Sequence, residues 1–241
     1  MIPFRDENPT ELVPFVNVIF IILNVAAWFM LQGAGEMQAL QASVVEFGVR
    51  PCEITGECAV QGLHYETLLT SMFMHGSWLH LGMNMLFLWV FGNNMEDSMG
   101  HLRYIAFYLV CGLVAAATQI LLNPAGEIPM VGASGAISGV MGAYVVLYPK
   151  VKVRVWLPPI FIFDLRAWLV LGYWIALQLY QGMQVLGDAE AAARGGVAFW
   201  AHIGGFVAGL VLIKLFEKKE LSQAKREKRK LSRQEVRRLE W

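Results

Sequence analysis

The chain has 241 residues, of which 56% are hydrophobic and only 16% are charged, and its formal net charge is zero. Soluble domains contain about 45–50% apolar and about 25% charged residues. This composition excludes an ordinary soluble enzyme and favours a polytopic membrane protein. The charges are also segregated, because eleven of the 19 lysines and arginines lie between Lys214 and Arg238.

The chain begins with ten residues of mixed charge, which lack the basic start and short apolar core of a removable signal peptide. Apolar runs of about 20 residues follow, which is the length that crosses a bilayer as a helix. We place the predicted spans at 14–32, 77–93, 102–122, 132–148, 166–185 and 197–216. The sequence therefore predicts an all-α membrane protein, with a six-transmembrane-helix bundle over 1–216 and a basic cytoplasmic tail over 217–241.

The distribution of lysine and arginine between the loops predicts the orientation of these spans. The segments before span 1, between spans 2 and 3, between spans 4 and 5, and after span 6 hold nearly all the cations. The opposite face holds only Arg50 and Arg194, beside several acidic residues. We expect both termini in the cytoplasm, with spans 2, 4 and 6 running inwards from outside. The tail could bind anionic lipid headgroups, but an ordinary positive-inside anchor is favoured.

Two of the three cysteines, Cys52 and Cys58, fall in the first outer loop. An oxidising compartment would permit a disulfide between them, whereas the alternative is a pair of free thiols. The sequence leaves these two states open. The third, Cys111, lies in span 3 and is interpreted as a packing residue.

Polar residues occur near the outer ends of three spans, where they are energetically expensive and therefore candidates for function. His80 and Asn84 share one face of span 2, because they are four residues apart. Ser134 is expected about one turn into span 4, and His202 about one turn into span 6. With the predicted orientation, all four lie at one depth, roughly 5–10 Å below the outer surface.

Glycines on spans 4 and 6 would let these polar residues meet. Gly135 and Gly139 form a small-xxx-small pair on span 4, preceded by Gly132, and Gly205 and Gly209 form another on span 6. Such pairs permit close approach of membrane helices, which a short serine side chain needs in order to reach an imidazole.

Each of these features has a simpler interpretation when it is taken alone. Ser134 by itself favours a packing residue or a hydroxyl bonded to its own helix. A glycine pair favours plain helix packing, Asn84 an interhelical hydrogen bond, and either histidine a satisfied buried ring or part of a proton relay. The functional hypothesis therefore depends on the conjunction of the features.

Other protease chemistries do not match the sequence. A membrane zinc protease would need His-Glu-x-x-His, but the stretch from His75 to His80 has no glutamate. The Gly-x-Ser-x-Gly elbow of soluble hydrolases fails, because residue 136 is alanine. An aspartyl protease needs two buried carboxylates, yet the aspartates fall outside the spans or at their edges: Asp6, Asp97, Asp164 and Asp188.

These motifs resemble those of the rhomboid family of intramembrane serine proteases, over essentially all six spans. The matching segments are His80-Leu81-Gly82-Met83-Asn84, Gly132-Ala133-Ser134-Gly135, and Ala201-His202 followed by Gly205 and Gly209. The resemblance implies a helical bundle with a water-filled site that opens outward.

The resemblance also implies residue roles. Ser134 would be the nucleophile and His202 its general base, while the backbone N–H of Ser134 and the side chains of His80 and Asn84 would bind the oxyanion. It implies an endopeptidase for single-span membrane proteins that works in the lipid bilayer with no metal, cofactor or nucleic acid. A bacterial plasma (inner) membrane is expected from the short N-terminal segment. Neither the physiological substrate nor the oligomeric state is indicated.

The chain departs from the family pattern at two places. Some relatives carry an aromatic residue one turn after the serine, against which the histidine stacks, but this chain has Ser138 there. Others carry Trp-Arg in the first outer loop, where this chain reads Tyr65-Glu66-Thr67. The first departure leaves open what orients His202, and the second leaves open how the loop is braced.

Two other functions compete with a protease. A transporter or proton-coupled carrier could use Ser134, His80 and His202 as a polar path, but no internal hydropathy repeat or inward continuation of that path is visible. An inactive relative could bind membrane clients without cutting them. Loss of Ser134 or His202 would have indicated this, and both are present.

Overall fold

The computed structural model describes residues 1–58, 64–185, 197–223, 225 and 227. Arg194, Asp188 and most of the predicted tail, residues 228–241, lie outside the described residues. The helices are α1 Phe15–Met30, α2 Met37–Phe47, α3 Pro51–Thr55, α4 Thr67–Thr70, α5 Trp78–Phe87, α6 Asn93–Met99, α7 His101–Leu122, α8 Ser134–Leu147, α9 Ala167–Val185 and α10 Phe199–Phe216. Short 3-10 turns occur at Gly33–Gly35 and Ser71–Phe73, and a π-helical turn, Leu88–Gly92, joins α5 to α6.

The mostly helical fold predicted from the sequence is confirmed, and each predicted span falls on helix. Span 2 corresponds to α5, the π-helical turn and α6 together, and the other spans correspond to α1, α7, α8, α9 and α10. Among the described helices, α7 and α10 are long and apolar enough to cross a membrane, with mean hydropathies of 2.2 and 1.8. Helices α1 and α8 are apolar but shorter.

A small antiparallel sheet, which the sequence analysis did not predict, contains β1 Ile2–Asp6, β2 Lys152–Leu157 and β3 Phe161–Arg166 in that order. Ile2 is opposite Trp156, and Leu157 is opposite Phe161. Strand β2 has the alternation of a half-buried strand, because Val153 and Val155 are fully buried while Lys152, Arg154 and Trp156 are exposed. Strand β2 lies between predicted spans 4 and 5, where the sequence predicts a cytoplasmic loop.

Helix α8 is the centre of the bundle. It packs between α7 and α10, which also pack on each other, and α9 packs mainly on α10. Most of α8 is buried, namely 136–144 and Leu147. A helix that is apolar on all sides is expected in the interior. The helix that begins with Ser134 is therefore held mainly by α7 and α10.

Buried charged side chains connect α6 to the N-terminal segment and to the segment that follows α10. Lys225 Nζ donates to Asn94 Oδ1 and to Asp97 Oδ2, each at 2.7 Å. The other oxygen of Asp97 accepts the backbone N–H groups of Glu11 and Leu12. Since Lys225 is 5% exposed and Asp97 is 3% exposed, these contacts fix the start of the chain and the segment after α10 to α6.

Helix α1 begins at a carboxylate from another helix. The two oxygens of Glu96 accept the N–H groups of Val16, at 3.1 Å, and Asn17, at 2.8 Å. The first turn of a helix has free N–H groups and a partial positive charge, so a carboxylate there is stabilising. Glu96 is completely buried, and it therefore sets where α1 starts relative to α6.

Asp6, at the end of β1, connects the sheet to the helices. Its carboxylate accepts hydrogen bonds from Asn94 Nδ2, at 2.9 Å, and from the hydroxyl of Tyr144. Burial raises the pKa of Asp6 to about 6, even though Tyr144 and the charge of Lys225 act in the other direction. The carboxyl of Asp6 therefore changes charge close to physiological pH.

Candidate active site

Ser134 is the first residue of α8, and the prediction that it lies one turn inside the span is wrong. The helix cannot extend further towards the N-terminus, because Gly132 has a φ of +128° and its N–H donates to Ser71 O at 2.8 Å. A residue at the start of a helix has a backbone N–H that no helical carbonyl accepts. Ser134 therefore presents its hydroxyl and its N–H at the same helix end.

His202 lies four residues into α10, as predicted, and its Nε2 is 2.8 Å from Ser134 Oγ. This distance lies within the hydrogen-bond range of a nucleophile and its general base. The two residues are 68 positions apart in sequence, so the pair depends on the packing of α10 against α8.

The glycines of these helices make that packing possible. A Cβ built on Gly205 would overlap the carbonyl oxygen of Gly135, and one on Gly209 would overlap the carbonyl oxygen of Gly139. A Cβ on Gly135 would also lie only 2.7 Å from Ala115 Cβ of α7. The backbones of α8 and α10 are therefore in direct contact directly below Ser134 and His202.

The second ring nitrogen of His202 is bound by a residue that the sequence analysis missed. His202 Nδ1 is 2.7 Å from Gln178 Oε1 of α9, and Gln178 is 9% exposed. The ring of Trp174, one turn earlier, has its centroid 5.7 Å from that of His202. The available signal was an amide in an apolar span, where polar residues are costly and often functional, but Gln181 and Gln184 of the same span carry the same signal.

Ser138, at the position where some relatives carry an aromatic residue, is hydrogen-bonded within its own helix. Its hydroxyl donates to the carbonyl of Ser134 at 2.6 Å, and its side chain is fully buried. The wall beside His202 is therefore supplied by α9, through Trp174 and Gln178, and not by the next turn of α8.

His80 and Ser134 face the same space. A Cβ built on Gly132 would lie 2.8 Å from His80 Nε2 and 3.5 Å from Ser134 Oγ. His80 Nδ1 accepts the N–H of Gly76 at 3.3 Å. Because Nδ1 acts as the acceptor, the ring proton is on Nε2, and His80 presents a donor beside Ser134.

Asn84 supplies a second donor, one turn further along α5. Its side chain is 7% exposed, and its Nδ2 has no hydrogen-bond partner among the described residues. Buried amide groups are normally paired, and leaving one unpaired costs free energy. An unpaired donor beside a serine–histidine pair is consistent with a group that binds its acceptor only during a reaction.

The loop before α5 is held by Gln32, at the end of α1. Its Nε2 donates to His75 O and its Oε1 accepts the His75 N–H, both at 2.8 Å. This pair of bonds fixes Gly76 and hence His80. His75 itself is fully buried, and burial, followed by the charge of His80, lowers the pKa of His75 to about 3. His75 therefore remains neutral over the physiological range.

Cys52 and Cys58 form a disulfide, which resolves the alternative that the sequence left open. The bond closes the turn that follows α3, at the same end of the bundle as Ser134. Of the described residues, no group of three or more His, Cys, Asp or Glu side chains is arranged to hold a metal ion.

These residues surround a cavity of about 490 Å³. Its polar wall contains His80, Asn84, Ser134, Gln178 and His202. Its apolar wall includes Met83, Phe87, Ile137, Met141 and Trp174. A mostly apolar cleft with a few converging polar groups is the usual form of a ligand site.

Comparison with known proteins places the chain in one family. The family model described as the Rhomboid domain matches residues 63–219. The chain is similar to mitochondrial Rhomboid protein 1 of Saccharomyces cerevisiae, at 28% identity over 60% of this chain and 40% of that protein. It is also similar to Rhomboid protease GluP of Bacillus subtilis, at 32% identity over 58% of this chain and 27% of that protein.

A third relative, chloroplastic Rhomboid-like protein 11 of Arabidopsis thaliana, is 27% identical over 62% of this chain and 52% of that protein. The chain thus spans about a quarter to a half of the length of these relatives. The family-model match covers more than half of the chain and includes His80, Ser134 and His202. The chain belongs to the rhomboid family of membrane-embedded proteins.

Proposed function

We propose that the chain is an intramembrane serine endopeptidase that cleaves single-span membrane proteins near the outer end of their span. The observation that carries the proposal is the 2.8 Å between Ser134 Oγ and His202 Nε2, in a cavity that also contains the donors of His80 and Asn84. The similarity to a Bacillus subtilis protein named a rhomboid protease supports it.

In the acylation step, His202 Nε2 takes the proton of the Ser134 hydroxyl while Oγ attacks the scissile carbonyl carbon. The tetrahedral intermediate collapses when the C–N bond breaks, and the same proton passes from His202 to the leaving amine. One product segment then leaves as an amine, and the other remains as an ester on Ser134.

The negative charge of the intermediate develops on the former carbonyl oxygen. We assign its stabilisation to the N–H of Ser134, the Nε2–H of His80 and the Nδ2–H of Asn84. Each preorganised donor of this kind can contribute about 3 kcal/mol in a site shielded from bulk water. Among the described residues, no carboxylate hydrogen-bonds His202, and a buried carboxylate would add a desolvation cost of several kcal/mol.

Deacylation repeats the same steps with water. His202 Nε2 takes a proton from the water, whose oxygen attacks the ester carbon, and the proton returns to Ser134 Oγ as the ester bond breaks. The sum is one peptide bond and one water converted to a carboxylic acid and an amine, so the proposed reaction needs no cofactor.

The proposal includes the membrane setting. Residues 1–216 would form a six-span bundle, with both termini and the basic tail in the cytoplasm and the cavity open to the outer face. The disulfide between Cys52 and Cys58 supports this orientation, because disulfides form on the oxidising side of a membrane. The proposed membrane is a bacterial plasma (inner) membrane, although two of the relatives carry organelle names.

The test is cleavage of a generic single-span substrate by the purified protein in detergent, beside Ser134→Ala and His202→Ala. We expect both variants to remain folded and to lose cleavage completely. Because nucleophile and base act as a unit, the double variant should be no worse than either single variant. A Ser134→Ala protein that cuts at the wild-type rate would refute the proposal, and a folded wild type that binds but never cuts would indicate an inactive relative.

A further inference from the structure

We propose that Gln178 is a positioning residue that holds His202 in the ring tautomer that its role as a base requires. This inference rests on the proposed function, because it assigns Gln178 a role through His202. It adds a third group to the serine–histidine pair, an amide from α9, in a span where the sequence had indicated no functional residue.

Both ring nitrogens of His202 are engaged, Nε2 with Ser134 Oγ at 2.8 Å and Nδ1 with Gln178 Oε1 at 2.7 Å. A neutral imidazole carries one proton on one of these nitrogens. An amide oxygen can only accept, so the proton lies on Nδ1, and the Nε2 lone pair is left facing the serine hydroxyl.

Loss of the Gln178 acceptor would change the tautomer of His202. Without Oε1, the proton can move to Nε2, and the ring then faces Ser134 with an N–H that cannot accept the hydroxyl proton. In serine proteases with a carboxylate at this position, the wrong tautomer costs about 10⁴-fold in kcat. An amide can hold the tautomer without the desolvation cost of a buried charge, but it gives the imidazolium no compensating charge.

Helix α9 brings two side chains to the ring of His202. Trp174 and Gln178 lie one turn apart on the same helix face, and both approach the His202 ring, by 5.7 Å between ring centroids and by 2.7 Å to Nδ1. The ring is thus fixed in plane by the amide and from the side by the indole. The titratable group that faces His202 across the cavity is His80.

The direct test reads the tautomer and does not depend on cleavage. We would record the nitrogen NMR signals of ¹⁵N-histidine-labelled protein, assign His202 by the loss of its signals in His202→Asn, and compare wild type with Gln178→Met. We expect the proton on Nδ1 in the wild type, and a mixture or the Nε2–H form in Gln178→Met. A wild-type ring with its proton on Nε2, or an unchanged Nδ1–H form in Gln178→Met, would overturn the inference.

Kinetics provide the second test. General-base catalysis contributes about 10²–10⁴-fold, so a base that spends most of its time in the wrong tautomer should lower kcat of Gln178→Met by about 10- to 100-fold, with KM little changed. Gln178→Glu retains an acceptor oxygen and should recover most of the rate. The matched control is Gln184→Met, the same change at an exposed position of α9, which should cut like wild type.

The outcomes separate this inference from the proposed function. Equal losses in Gln178→Met and Gln178→Glu would show that the residue only packs, and a wild-type rate in Gln178→Met would remove its role altogether. If the wild-type protein cleaved no substrate, the proposed function would fail, but the NMR comparison would still decide whether Gln178 sets the ring of His202.

Discussion

The rings of His80 and His202 present opposite hydrogen-bonding groups to Ser134, a donor and an acceptor. His202 directs an acceptor, Nε2, at the serine hydroxyl, whereas His80 directs a donor there because its Nδ1 accepts the N–H of Gly76. In the proposed mechanism, the same type of side chain therefore acts as the base from one helix and as an oxyanion donor from another. The difference arises from a single neighbour of each ring, an amide oxygen for His202 and a backbone N–H for His80.

At this scale we predict that Asn84→Ala lowers kcat by about 10²-fold or less and leaves KM nearly unchanged. A donor that meets its acceptor only in the transition state lowers the barrier without strengthening ground-state binding, and Asn84 Nδ2 has no partner among the described residues. The measurement is steady-state cleavage of a single-span substrate in detergent. A rise in KM with kcat intact would assign Asn84 to substrate contact instead.

The sequence was sufficient to single out Ser134, His202, His80 and Asn84, because polar residues at matching depths in apolar runs are rare. It was not sufficient for Gln178. That residue shares its span with Gln181 and Gln184, which are exposed, and only the packing of α9 on α10 distinguishes the buried amide from the other two. Helix phase relative to a neighbour is a tertiary property that no spacing rule contains.

Among the elements, the crossing of α8 and α10 controls the distance between Ser134 and His202. We predict that Gly205→Val abolishes cleavage and lowers the thermal midpoint, because a side chain there would overlap the carbonyl of Gly135 and push the helices apart. Gly172→Val is the matched control, since a Cβ on Gly172 meets nothing within 4 Å. The comparison uses thermal melts and cleavage assays of both variants, and equal behaviour would show that the contact is not required.

The attachment of β1 to the helices should depend on pH. The pKa of Asp6 is about 6 in the folded protein and 3.8 for an ordinary aspartate, so the folded state binds its proton more tightly. Stability from this group is complete below pH 3.8 and is lost as the pH rises through 6. We predict that wild type loses stability relative to Asp6→Asn between pH 4 and pH 7.

Thermal melts of both proteins at several pH values measure this difference. Taking wild type and variant together cancels other groups that titrate in the same range, such as His75, whose lowered pKa of about 3 acts in the opposite direction. A difference that is flat over this pH range would mean that Asp6 does not titrate there.

The helices could be predicted from apolar run length because burial in lipid and burial in the bundle demand the same composition. The sheet was missed for a related reason. Val151, Val153 and Val155 alternate with polar residues, which is a strand pattern, but the cations among them had been assigned to a cytoplasmic loop. The predicted start of span 4, residue 132, lies two residues before the first residue of α8. The apolar run continues through Gly132, but its φ of +128° prevents a helix there, and no polar residue marks the position.

For the whole molecule, the site lies at one end of the bundle and the sheet at the other. Helices α5, α8 and α10 each begin at the site end, with His80, Ser134 and His202 within their first four residues. With the proposed orientation, a substrate helix arriving through lipid must be unwound locally before its carbonyl can be attacked. Backbone groups freed in hydrocarbon are costly, whereas the polar wall of the cavity can solvate them.

We therefore predict cleavage near the outer end of a substrate span, after a small residue and close to a helix breaker. Glycine weakens a helix by about 1 kcal/mol relative to alanine, and proline by about 3 kcal/mol, which reduces the cost of unwinding. Moving that segment to the cytoplasmic end of the same span should abolish cleavage in reconstituted vesicles, as measured by product mass. Cleavage that follows the segment inwards would contradict both the orientation and the position of the site.

Because α8 and α10 contact each other through the backbone at Gly135 and Gly205, the residue preference of the cavity can be changed independently of the distance between Ser134 and His202. The spacing of Ser134 and His202 is set by main-chain atoms, so the side chains of the cavity wall can be exchanged without resetting it. Met83 and Phe87 line the cavity from α5, which takes no part in that crossing. A library that varies these two positions would therefore search for altered residue preference while leaving the cleavage chemistry in place.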